Sequence, residues 1–159
     1  MKFAKPFFKS PRVLTWISGL DLSTRDGKRV DVSASHIDEN GFTMNVGSAN
    51  SALIQASISW IAIENDSHCA VGSYQTVAGD TKNASWDENC EFPKGKFSRP
   101  PNVLVGFSSF DLGSANDNPR FGTWVSDITA DGFKRNIYTW CGSMISSATV
   151  QWLAISSEG

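Results

Sequence analysis

The stretch Pro11-Arg12-Val13-Leu14-Thr15-Trp16-Ile17-Ser18-Gly19-Leu20-Asp21-Leu22 returns as Pro101-Asn102-Val103-Leu104-Val105-Gly106-Phe107-Ser108-Ser109-Phe110-Asp111-Leu112, at an offset of 90 residues. Self-similarity at a fixed period is the first thing a sequence can disclose about its fold. Downstream, Arg29 falls on Arg120 and Gly41-Phe42 on Gly132-Phe133, both at an offset of 91. The stretch Ser59-Trp60-Ile61-Ala62-Ile63 falls on Gln151-Trp152-Leu153-Ala154-Ile155, at 92. Two single-residue insertions, expected in loops, account for the drift. Four ordered matches identify a duplication.

Each repeated segment reads as a strand. Val13–Leu20 and Val103–Phe110 are rich in β-branched and aromatic residues. Apolar and polar residues alternate from Arg29 toward Ile37, which gives a strand one buried and one wet face. The runs around Trp60 and Trp152 have the apolar character of a sandwich interior, so both indoles are expected in the core. Turn signals, Asp38-Glu39-Asn40-Gly41 and Asp131-Gly132, precede Phe42 and Phe133. No helical period of 3.6 is present. The expectation is an all-β chain of two tandem antiparallel β-sandwich domains, residues 1–66 and 67–159. The repeats are unequal: Cys69–Val77 reads as a strand of the second repeat with no counterpart in the first. The edge left by a missing strand is expected to be covered.

Composition narrows the function classes. Fourteen basic residues against sixteen acidic ones, with no basic block, argue against a nucleic-acid partner. No run approaches a membrane span, so no membrane insertion is expected. The opening Met1–Ser10 lacks the apolar core of a signal peptide, and the expected location is cytoplasmic, or outside by a non-classical route. Cys69, Cys90 and Cys141 cannot all pair within one chain, which favours a reduced compartment, and a Cys69–Cys90 bridge is the pairing weighed. Neither cysteines nor histidines have metal-ligand spacing, so no metal and no cofactor is expected.

The ordered motifs resemble the H-type lectin family. They are Val103-Leu104, Phe110-Asp111, Arg120, Gly132-Phe133, Tyr138-Thr139-Trp140 and Val150-Gln151-Trp152-Leu153-Ala154-Ile155. The resemblance covers nearly all of 69–159 and, without the first strand, 3–64. It implies six-stranded sandwiches that bind glycans or glycoproteins through galactose-type sugars, often N-acetylgalactosamine. It also implies a homo-oligomer, here a modified trimeric arrangement, with sites at the borders between units. Transferred to this sequence, Arg120 and Arg29 take the arginine role and Trp140 the aromatic role, with Cys141 as its neighbour. In the first repeat Ala49 and Asn50 stand at those two places. Asp80 and Asp87 are the candidates for the carboxylate.

These residue types suit a sugar on chemical grounds. A guanidinium donates parallel hydrogen bonds to adjacent hydroxyls, a carboxylate accepts from two, and an indole covers an apolar ring face. Such sites are shallow, and useful affinity comes from multivalency. Two other readings compete. One is a structural or protein-interaction module that uses the sandwich for assembly. The other is a glycoside hydrolase with Asp80, Asp87 or Glu88 as acid and base, which needs two carboxylates set across one cleft.

Overall fold

The computed structural model of the chain describes residues 1–23, 28–48, 53–64, 68–77, 82–112 and 119–157. Within them lie β1 (Arg12–Leu22), β2 (Arg29–Ser35), β3 (Thr43–Ser48), β4 (Leu53–Ile63) and β5 (Cys69–Val77). They are followed by β6 (Ser85–Glu91), β7 (Asn102–Asp111), β8 (Phe121–Ser126), β9 (Gly132–Thr139) and β10 (Ser147–Ile155). The strands form a five-stranded sheet β3-β2-β7-β10-β5, a three-stranded sheet β6-β9-β8 and a ribbon β1-β4, all antiparallel. The proposed domain border, residues 66 and 67, lies outside the described residues.

The duplication is visible in the register. Val13 opposes Ala62 in β1–β4, and Val103 opposes Ala154 in β7–β10. Val30 opposes Ser48 in β2–β3, and Phe121 opposes Thr139 in β8–β9. A period-two pattern fixes register because a one-residue slip would turn every core side chain outward.

The second repeat is a complete sandwich. Alternation along β10 sends Ala148, Val150, Trp152 and Ala154 to one face, and Phe133 and Ile137 of β9 meet them from the three-stranded sheet. Trp152 is 5% exposed and packs against Phe92 and Phe133 at ring centroid distances of 5.7 and 5.6 Å. Its β5 partner in the register is Gly72, and any Cβ there would stand 2.6 Å from the indole. The Arg135 guanidinium lies 4.7 Å above the Tyr74 ring and pairs with Glu88.

The first repeat builds the same aromatic cluster from Phe3, Phe7, Phe42 and Trp60. Its outer strands differ. Among the described residues β5 has no counterpart there, and β6 is represented by one bridge, Lys2 to Gly41, where the second repeat pairs Glu91 with Gly132. Trp60 is consequently 36% exposed, against the expectation that both repeated indoles are core. Among the described residues β4 has only β1 beside it, so nothing stands over Trp60 as Gly72 of β5 stands over Trp152.

The two repeats are joined through the main chain. Arg29, Val30 and Asp31 of β2 pair with Asp111, Phe110 and Ser109 of β7, so one sheet runs through both repeats. Side chains reinforce the seam. The Trp16 indole N–H donates to the Gln151 carbonyl at 3.1 Å, and the Thr15 N–H donates to the Gln151 side-chain oxygen at 2.8 Å. Trp16 rests on Gly106, where a Cβ would stand 2.4 Å from the ring.

Truncating Trp152 to Ala is expected to cost about 3–5 kcal/mol, the range for a large aromatic removed from a core. Trp60→Ala is expected to cost less than half as much. Urea unfolding midpoints of the two variants test this, and equal losses would contradict the difference in cover.

Candidate functional site

The turn between β9 and β10 stands at one end of the three-stranded sheet. It has to reverse the chain tightly, and Cys141 and Gly142 take positive φ values of 52° and 77°. Two neighbours hold it. On one side, Asn83, itself at φ 53°, accepts the Gly142 N–H on its side-chain oxygen at 2.7 Å and donates its own N–H to the Ser143 carbonyl at 3.1 Å. On the other side, the Arg120 N–H donates to the Ser143 hydroxyl at 2.7 Å, and the Trp140 N–H donates to the Arg120 carbonyl at 3.3 Å. Ser143 is buried.

This clamp places Arg120 and Trp140 on directly bonded backbone positions. The Arg120 side chain is exposed, and the Trp140 indole is 40% exposed. The indole stacks on Tyr138, with ring centroids 5.3 Å apart and planes 23° from parallel. The adjacent Cys141 is exposed. A guanidinium fork can donate to vicinal hydroxyls, and an aromatic face can cover a sugar C–H face.

The other expected residues are placed elsewhere. Asp87 is in β6, on the outer face of the three-stranded sheet, and accepts from the Asn136 amide at 2.5 Å. Asn136 also donates to the Ser85 hydroxyl at 2.8 Å. Arg29 is exposed in the five-stranded sheet, opposite Asp111 in the register, and is not joined to the Arg120 turn. Asp80 and Asn50 lie outside the described residues. Asp87 and Glu88 are successive residues of one strand, and alternation turns their side chains to opposite faces. Glu88 meets Arg135, whereas Asp87 meets Asn136, so these two carboxylates do not flank a common cleft.

No disulfide joins Cys69, Cys90 and Cys141 to one another. Cys69 belongs to the five-stranded sheet and Cys90 to the three-stranded one. Burial, and secondarily the charge of Glu91, pushes the Cys90 thiol above its ordinary pKa. Among the described residues no three His, Cys, Asp or Glu side chains are grouped to hold a metal ion, and no helix is long and apolar enough to cross a membrane.

Sequence reasoning missed Asn83, Ser143 and Tyr138 as parts of this region. Asn83 and Ser143 act through backbone contacts between distant segments. Tyr138 was legible only as part of a motif.

The family model for the H-type lectin domain matches residues 1–63 and 88–155. The chain belongs to the H-type lectin family. H-type lectin domains bind carbohydrate, and this chain is a carbohydrate-binding lectin on that ground. Two solved structures of discoidin II from Dictyostelium discoideum are similar to it. One shares 17% identity over 92% of this chain and 73% of that chain, with a TM-score of 0.46. The other shares 16% identity over 92% and 72%, with the same TM-score of 0.46. No curated protein matches the chain. The family match leaves out 64–87, which includes β5.

Limited alkylation at neutral pH is expected to label Cys141 well before Cys90. Cys141 is exposed, while Cys90 is partly buried and its thiolate is disfavoured. Peptide mass spectrometry over a time course reads the order, and faster labelling of Cys90 would contradict the burial seen here.

Proposed function

We propose that the turn carrying Arg120, Trp140 and Cys141 is the sugar site, and that it takes terminal galactose or N-acetylgalactosamine residues without turning them over. The supporting observation is the hydrogen bond from the Trp140 N–H to the Arg120 carbonyl. It joins the backbone of Arg120, whose side chain is exposed, to that of Trp140, whose indole is half-exposed. In this reading Arg120 donates to adjacent hydroxyls, Trp140 covers the apolar ring face, and Cys141 lines the rim. Asp80, three residues before Asn83 in the chain, and Asp87, on the sheet face, are the carboxylates assigned to this reading. Arg29 and Asn50 stand in the first repeat at positions matched to Arg120 and Cys141, and are assigned a subsidiary role. It is weaker because Ala49 stands where Trp140 stands in the second repeat.

Multivalency enters through assembly. In the β2–β7 junction the second strand of one repeat meets the first of these four shared strands in the other. The equivalent edges of β8 and β1 have no sheet partner among the described residues. Leu104 is 50% exposed, whereas its equivalent Leu14 is 4% exposed. An unpaired edge together with an exposed leucine favours a second copy joined head to tail. The first repeat then serves mainly as a packing element, and the domain reading of two units, 1–66 and 67–159, describes ancestry more than independence.

Arg120→Ala is expected to abolish retention on a galactose or N-acetylgalactosamine resin while far-UV circular dichroism stays unchanged. Arg29→Ala is expected to retain most of it. Undiminished retention of Arg120→Ala would reject this site. Light scattering in the same buffer is expected to give a mass above that of one chain, and a monomer at micromolar concentration would reject the head-to-tail assembly.

A further inference from the structure

The outer face of the three-stranded sheet continues away from the Arg120 turn. Antiparallel pairing puts Tyr138 opposite Ser85 and Gly122, and Asn136 opposite Asp87 and Trp124. Directly opposed residues share a face. Tyr138 lies across Gly122, where an added Cβ would come within 2.8 Å of the phenol ring. Trp124 is 44% exposed, and Trp140 at the other end is 40% exposed and stacked on Tyr138. Three aromatic rings thus follow one another on a face that turns away from the sandwich core.

The first repeat shows that this fold does not require them. At the fixed offset of 91, Trp124 corresponds to Ser33, Tyr138 to Gly47 and Trp140 to Ala49. The amide on this face is the same in both, Asn136 and Asn45, but its surroundings differ. Asn45 is exposed, whereas Asn136 is 2% exposed. The Asn136 side-chain oxygen has no hydrogen-bond partner, although its nitrogen serves both Asp87 and Ser85. One repeat therefore carries two exposed indoles and a partly exposed phenol around a buried amide, and the other carries small residues in the same frame.

We infer that this face is an extended subsite for a linear oligosaccharide, with Trp124 binding a sugar unit behind the terminal one held at Arg120 and Trp140. The inference rests on the site reading given above. At about 3.3 Å per strand residue, the rows of Asn136 and Trp140 are about 13 Å apart, which is more than one pyranose ring. Successive rings can stack on successive aromatic faces, and Asp87 accepts from their hydroxyls. Trp124 makes this a specificity-determining residue for chain length; it leaves the terminal sugar to the turn.

The test titrates the whole protein with methyl N-acetylgalactosaminide and with a linear trisaccharide ending in the same residue, using isothermal titration calorimetry. The trisaccharide is expected to bind about tenfold more tightly. Trp124→Ala should erase that advantage and leave the monosaccharide affinity unchanged. Trp124→Phe, which keeps an aromatic face, should preserve most of it. Near-UV circular dichroism and the unchanged monosaccharide affinity show that the variants are folded. A trisaccharide advantage that survives in Trp124→Ala, or is missing in the native protein, overturns the extended subsite alone. Absence of monosaccharide binding in the native protein overturns the terminal site and the subsite with it.

Discussion

The fold hangs on the contact of one indole with two phenyl rings across the gap between sheets. Trp152 sits at the middle of β10, which is itself flanked by β5 and β7, and it meets Phe92 and Phe133 from the opposite sheet. The burial of large aromatic surfaces is the main favourable term available to a sandwich of this size. Because β10 is paired on both sides, the position of that indole fixes five strands relative to three. Everything on the far side of the three-stranded sheet, including the aromatic row and the Arg120 turn, inherits its placement from this joint.

The first repeat solves the same problem with fewer parts. Phe3, Phe42 and Trp60 reproduce the cluster, but without the strands that cover it in the second repeat. What it lacks in cover it offsets by lending β2 to the edge of β7 and setting Trp16 over Gly106. Main-chain pairing is well suited to such a junction, since unpaired edge N–H and C=O groups find partners in it. The edge left by the missing strand is that of β4, and among the described residues its only sheet partner is β1; the edge that is covered is that of β7. The cover comes from the sister repeat.

The turn that carries Arg120 and Trp140 is held mainly through its main chain. Its firm contacts are to backbone groups: Asn83 and Ser143 each bond the chain around the turn, and Ser143 is buried while Asn83 is exposed. The positive φ at Cys141 and Gly142 is the conformational condition for that turn. A residue at the place of Cys141 is thus chosen by backbone as well as by chemistry. Within the strands they share, the two repeats also differ on the outer face of the sheet, where Trp124 and Tyr138 stand against Ser33 and Gly47.

The sequence by itself determined the duplication, the strand type and the pairing frame of these repeats. A period-two pattern with repeated Gly-Phe and Trp landmarks admits few other registers. It also marked Arg120 and Trp140, because short motifs keep their order along the chain. It missed β6, since Ser85–Glu91 is too polar to read as a strand; only pairing with β9 makes it one. It misjudged Trp60, because burial depends on what lies over a residue and not on the residue's own run. The pairing of β2 with β7, the clamp by Asn83 and the shared face of Trp124 and Tyr138 were decided by tertiary structure alone. The reason is physical: these are contacts between segments far apart in sequence, and local patterns of hydrophobicity specify which face is buried but not which distant edge will meet it.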